Sequence, residues 1–323
     1  MAGSCENTPR WKRFLWPVIG LIAISISFWF LAKELRHMSW RQLWLGIESI
    51  PAMHWLWIGL CTLGCYITLA AYDSLALKYL RRKVGFVFVA LCSLTAYALS
   101  HTLGASAFTG AVIRYRAYST KGLGAAEVGL LATMCSLTFA IGVMVLTGFL
   151  YIYDPSLDAR FPNVLSPHAV RLIAWGLLAL VALYILGSAL RLPPLKFRRF
   201  SLTYPPLSIT LKQLFVAPVE LLFAGGILYF ALPVEGNPGY LIVLGVFVVG
   251  FTLALLSHAP GGIGVFELAV ITALPEFAPE RVLAALLVFR LCYFMIPLAI
   301  GLVMVAIFER MQLRAEEDNI RVE

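Results

Sequence analysis

Apolar residues run in long blocks along this chain, and polar positions gather in short, mostly basic clusters between them. Block length, more than periodicity, therefore carries the structural signal. Blocks of about 20 residues, enough to cross a ~30 Å hydrocarbon core, fall at roughly 14–32, 54–76, 130–153, 170–190, 211–232 and 282–308. Each is predicted to be a full transmembrane helix. The run from Phe14 to Ala32 follows Arg10, Lys12 and Arg13, is long for a signal-peptide core and lacks a small-residue cleavage site, so it reads as a retained first span. Between the first two blocks, Leu35, Trp40, Leu43, Trp44 and Ile47 alternate with polar residues. That pattern predicts an amphipathic helix over 33–50, lying in the interface on its tryptophans.

Two further apolar stretches are interrupted. One runs from Gly85 to Ser100 and continues through His101, Gly104 and Gly110 to Arg114 and Arg116. The other runs from Tyr240 to Leu256 and continues through Ser257, His258, Pro260, Gly261, Gly262 and Gly264 to Glu267 and Leu274. A limb of 16 residues reaches only about 24 Å, short of a hydrocarbon core, and the Gly and Pro residues then weaken or break the helix.

Charge decides what these stretches are. The flank before the first span, the segment Lys78 to Lys83 and the loop with Arg191, Lys196, Arg198 and Arg199 are basic, which places all three in the cytoplasm. An even number of crossings must then separate Lys83 from Arg191. This holds only if 85–118 is a hairpin that enters and leaves on the cytoplasmic side. By the same reasoning 240–275 opens to the outer side, beside a loop, Val234 to Tyr240, that has no Lys or Arg. Both termini are then cytoplasmic. Lys33, Arg36 and Arg41 in the first outer loop are the exception, and they belong to the interfacial helix. Leu99-Ser100-His101 recurs as Leu256-Ser257-His258, with Gly104 opposite Gly261. The expectation is an all-α integral membrane protein with about six full spans and two oppositely oriented re-entrant hairpins forming an inverted pseudo-repeat.

Composition narrows the class. At 61% hydrophobic and 13% charged over 323 residues, no soluble fold could hide the apolar surface, so the chain is read as a single membrane domain over 1–323. The net charge of +8 points to anionic head groups rather than nucleic acid. Cys5, Cys61, Cys65, Cys92, Cys135 and Cys292 read as small buried hydrophobes, not as a disulfide or metal set, and no cofactor is implied.

Charges inside a bilayer are expensive, and each needs a reason. Arg290, followed by Tyr293 within the last span, is either a phosphate or carboxylate binder in an internal cavity or half of an ion pair with Glu267 or Glu220. Glu267 begins the helix after the Pro-Gly break, where the dipole favours a carboxylate. Glu220, just after Pro218, has no such explanation and is expected to face polar neighbours. His101 and His258, each ending a first limb, are candidates for proton handling or head-group contact. Arg114 and Arg116 lie two apart, about 200° around a helix, so both cannot face one pocket. One can hold a lipid phosphate while the other sits at the leaflet surface, and Asp73 is the natural partner for one of them. Ser100, Gly104 and Gly110 in the first hairpin, and Ser257, Pro260, Gly261, Gly262 and Gly264 in the second, are the expected tip residues.

These residues resemble a family. Ser-His-Thr-Leu-Gly followed by Thr-Gly-Ala-Val-Ile-Arg-Tyr-Arg-Ala-Tyr-Ser119 is similar to the first signature of the lysylphosphatidylglycerol synthase transmembrane family. Ser-His-Ala-Pro-Gly-Gly-Ile-Gly-Val-Phe-Glu267 resembles the second, Ala-Ala-Leu-Leu-Val-Phe-Arg290-Leu-Cys-Tyr293 with Pro297 its last helix, and Tyr72-Asp73 its early one. The likeness covers nearly the whole chain and is nearest to the stand-alone YbhN-type members. In the larger MprF proteins such a domain is the flippase half. The resemblance therefore implies a lipid translocase of the bacterial inner membrane, with Arg290, Glu267, Arg114 and Arg116 along the lipid path. The chain stops about fifteen residues after its last span, so no soluble synthase domain, aminoacyl transfer or lysyl cargo is expected. The partners expected are anionic phospholipids, and either a second copy or a lipid-synthesis enzyme. The alternative is a non-transporting lipid-binding partner of an envelope enzyme. A membrane enzyme is disfavoured, because no paired-carboxylate metal motif, serine elbow or Walker loop is present.

Overall fold

A computed structural model describes residues 40–103, 106–161, 166–193, 195–197, 200–202, 204–257, 262 and 264–322. The expected first span at 14–32, most of the segment before Trp40, and the tip residues Gly104, His258, Pro260 and Gly261 lie outside them. The described chain is helical apart from one short strand pair. It contains α1 (Trp40–Glu48), α2 (Ala52–Tyr79), α3 (Phe86–Leu103), α4 (Ser106–Ser119), α5 (Ala125–Tyr153), a 3-10 turn (Pro155–Arg160) and α6 (Pro167–Ala189). These are followed by α7 (Leu207–Ala231), α8 (Tyr240–Leu256), α9 (Val265–Ala273), α10 (Pro279–Arg290), a π turn (Leu291–Met295) and α11 (Ile296–Val322).

Five helical segments among the described residues are long and apolar enough to cross a membrane: Ala52–Tyr79, Ala125–Tyr153, His168–Ala189, Leu207–Ala231 and Pro279–Phe308. They match five of the six full spans expected. Their outward faces are apolar: Phe215 on α7 and Leu172 on α6 are each 74% exposed. Only lipid tolerates such a surface, and the protein is a multi-pass membrane protein. Trp44, Trp55 and Trp57 are exposed around the α1–α2 junction, where amphipathic rings suit the head-group level.

The all-α expectation holds, with one short strand pair in a loop. Within the basic loop after α6, Leu195–Phe197 (β1) and Phe200–Leu202 (β2) pair antiparallel, with Lys196 opposite Ser201. The strand pair satisfies its backbone groups locally.

The two interrupted stretches form two short helix pairs that double back. Lys121 Nζ, just past α4, lies 4.9 Å from the ring of Phe88 near the start of α3, and the Tyr118 and Phe88 rings are 6.0 Å apart. Both ends of the α3–α4 pair therefore sit beside the basic segment Arg81 to Lys83. In the second pair, Arg160 donates to the Ala273 carbonyl at the end of α9 and pairs with Glu276, while Leu157 of the same 3-10 turn packs on Gly245 of α8. Both ends of that pair gather at the opposite end of the molecule. Arg160 holds the Glu276 carboxyl below its usual range by donating to it. A nine-residue helix such as α9 reaches about 14 Å and cannot cross a bilayer by itself.

The spanning segments pack against one another and against these pairs. α5 and α7 approach closely at Gly142, where an added Cβ would sit 2.7 Å from the Ala217 carbonyl oxygen. Small residues at such crossings let backbones approach without a hydrophobic driving force between them. Gly142→Val is expected to force α5 and α7 apart and lower stability by about 1–3 kcal/mol, read as a lower thermal unfolding midpoint in detergent.

Candidate functional site

Among the described residues, three centres built on buried carboxylates lie between the spans. The first joins the returning limb α4 to α2. Arg114 reaches Asp73 through Nη2 (2.8 Å to Oδ1) and Nε (3.0 Å to Oδ2), and Asp73 has no exposed surface. Tyr118, one turn after Arg114, donates to Asp73 Oδ2 at 3.1 Å, and the Cys135 thiol of α5 donates to Oδ1 at 3.3 Å. The Tyr97 ring lies 4.5 Å from the Arg114 guanidinium carbon, a cation–π contact. Gly110 makes this geometry possible, since a Cβ there would strike Ser100 Oγ at 2.6 Å and Arg114 Nη1 at 2.9 Å. Arg116, by contrast, is exposed. One arginine is buried and the other exposed, and Asp73 takes the buried one.

The second centre joins the returning limb α9 to α10. Gly262 and Gly264 hold φ of +65° and +85°, the left-handed region that turns the chain into α9. The Gly264 N–H donates to Glu267 Oε2 at 2.7 Å, so Glu267 caps its own helix. Its other oxygen accepts from Arg290 Nε at 2.8 Å and from Arg290 Nη2. Of the two readings of Arg290, the ion pair is present, and its partner is Glu267 rather than Glu220. Both residues are buried.

The third centre is Glu220 on α7, with no exposed surface. Tyr293 donates to its Oε1 at 2.8 Å, while Oε2 has no hydrogen-bond partner among the described residues. The π turn that carries Tyr293 has a local cause. Pro297 offers no N–H to the Tyr293 carbonyl four residues earlier, and the Tyr66 hydroxyl of α2 donates to that carbonyl at 2.8 Å instead. The His101 ring, at the end of α3, lies 5.6 Å from the Tyr293 ring and 6.2 Å from Phe251 of α8. The inner ends of both short pairs thus converge on one aromatic cluster, three residues from Arg290.

Of the remaining expected tip residues, Ser100 is buried and bonded to the Ala96 carbonyl, and Ser257 is exposed at the end of α8. Tyr66, Tyr97 and Cys135 were not legible as site residues. Tyr97 had one usable signal, lying four residues before His101 on the same helix face. An apolar groove of about 120 Å³ runs between α3, α4 and α11, lined by Phe88, Leu91, Ile113, Met304 and Phe308, with Arg116 in its wall.

This fold of spanning helices around two broken pairs, with arginine–carboxylate pairs inside, defines a class of polytopic membrane protein. The chain belongs to the family described as the lysylphosphatidylglycerol synthase TM region, whose model matches residues 18–301. It is 28% identical to an uncharacterized Synechocystis protein, slr0712, over 92% of each chain. It is also 27% identical to the Escherichia coli inner membrane protein YbhN over 97% of this chain and 98% of that one. A phosphatidylglycerol lysyltransferase of Staphylococcus haemolyticus is 26% identical over 90% of this chain but only 33% of its own length.

Removing one charge of a buried pair strands the other. Asp73→Ala is expected to lower stability by about 3–5 kcal/mol. The double change Asp73→Leu with Arg114→Met, which strands no charge, is expected to recover most of that loss. Thermal unfolding of both proteins in the same detergent checks the difference.

Proposed function

We propose that this protein is a lipid translocase of the bacterial inner membrane, moving an anionic phospholipid or related lipid between leaflets. The observation that carries the reading is the pair of buried arginine–carboxylate contacts, one at each short helix pair, in a place where charge is tolerated only for a reason. A phosphate can compete with Asp73 for Arg114, or with Glu267 for Arg290, because a guanidinium fork fits phosphate and carboxylate alike. The groove beside Arg116 suits acyl chains. The relatives named for a lysyltransferase acting on phosphatidylglycerol, and for an inner membrane, support the lipid and the location.

In this reading the α3–α4 pair over 85–118 is re-entrant from the cytoplasm and the α8–α9 pair over 240–275 from the outside, with both termini cytoplasmic. Each pair opens the path from its own side, and the converging tips around His101 and Tyr293 form the barrier between them. A second copy or a lipid-synthesis enzyme is the partner proposed.

Two experiments test this. Single cysteines replacing Lys83 and Ser119 are expected to react with an impermeant maleimide only from the cytoplasmic side, and those replacing Asn237 and Glu276 only from the outside. Opposite-side labelling within either pair sinks the re-entrant arrangement. In proteoliposomes, fluorescent anionic phospholipid is expected to cross faster with wild-type protein than without it. Arg290→Lys, which keeps a cation for Glu267 but loses the fork, is expected to slow crossing by about tenfold, or ~1.4 kcal/mol. No acceleration by the wild type would count against transport and favour the non-transporting lipid-binding alternative.

A further inference from the structure

We infer that Glu220 is a reversible proton-binding site within the membrane, reached from the basic end through a polar row on α3, and that its loading is coupled to lipid movement. The coupling rests on the translocase reading; the proton site does not.

Glu220 differs from the other two buried carboxylates. Asp73 and Glu267 each hold an arginine, whereas no Lys or Arg pairs with Glu220 among the described residues. The groups that face it are neutral: Cys65, Tyr66 and Tyr72 on α2, and Tyr293 on the π turn. No charged side chain of α5, α8 or α10 forms an ion pair with it among the described residues. A carboxylate this enclosed has no counter-charge when ionised, and it would repel a phosphate. The one cation that needs no room is a proton.

Unpartnered polar atoms lie along α3 toward Glu220. Four buried side-chain polar atoms have no hydrogen-bond partner among the described residues: Ser93 Oγ, Tyr97 Oη, His101 Nε2 and Glu220 Oε2. Three of these residues are spaced four apart on α3 and so share one face, spanning about 12 Å along its axis. The Tyr97 and His101 rings stack 5.9 Å apart, His101 lies 5.6 Å from Tyr293, and Tyr293 donates to Glu220. The row starts from the limb that begins beside Lys83 and ends at the carboxylate. Buried polar atoms are normally satisfied, and a file of them leading to a carboxylate is what proton transfer through hydroxyl, imidazole and water requires. The proton comes from water at the basic end and returns to water, and no bond other than O–H or N–H is made or broken. Tyr293 lies one turn from Arg290, inside the π turn, so loading Glu220 acts on the segment that presents Arg290 to Glu267.

Infrared difference spectroscopy of the protein in nanodiscs reads the site without any transport. Wild type is expected to show a carboxylic-acid carbonyl band that is lost on raising the pH, and Glu220→Gln to lack it. Tyr293→Phe is expected to keep the band and shift its midpoint, which guards against misfolding of the first variant. Identical titrations in wild type and Glu220→Gln overturn the site. In proteoliposomes the ratio of inward to outward lipid rates is expected to change by up to about tenfold per pH unit of gradient for one coupled proton, and to stay near one in Glu220→Gln. Lipid movement that ignores the gradient overturns the coupling and leaves the translocase reading standing. No lipid movement at all sinks that reading together with the coupling, while the carboxyl band still decides the site.

Discussion

Burying a guanidinium or a carboxylate in an apolar, low-dielectric interior costs several kcal/mol per ion, and the arrangement around the two short helix pairs answers that cost. Asp73 with Arg114, and Glu267 with Arg290, each bind a returning limb to a neighbouring long span. In one pair the returning limb brings the arginine; in the other it brings the carboxylate. Neither limb is long enough to be held by lipid on its own, so the ion pairs and their hydrogen bonds fix where α4 and α9 stop. The same contacts place the inner ends of both pairs against a common aromatic cluster.

That cluster explains why the π turn matters. Pro297 removes one helical hydrogen bond, Tyr66 takes the released Tyr293 carbonyl, and the widened turn lets the Tyr293 hydroxyl reach Glu220. Arg290, three residues earlier, is still in regular helix and points to Glu267. One local irregularity thus distributes two neighbouring side chains between two different carboxylates.

The arrangement also separates roles among charged groups that look alike in composition. Arg114 and Arg290 are forks held in place by carboxylates. Arg116 lies at the exposed wall of an apolar groove. Glu220 has neither arginine nor cap. Its environment suits a change of protonation better than the holding of a ligand.

Much of this was written in the chain. Block length marked the five described spans because crossing lipid demands about 20 apolar residues whatever the neighbours are. The short limbs at 85–118 and 240–275, and the α7 carboxylate without a local reason, were visible for the same cause: helix length, Gly and Pro act locally. The spacing of Arg114 and Arg116 determined that both could not face one pocket. Which carboxylate each arginine meets was not legible, since Arg290 had both Glu267 and Glu220 within plausible reach. Only the packing of α9 against α10, and of α7 against the π turn, decided it. Tyr66 and Cys135 were equally hidden, because their partners lie 227 and 62 residues away and nothing in an apolar run marks a contact at that distance. Sequence determines what a segment must do with its own backbone, and tertiary structure decides which distant side chain satisfies what is left over.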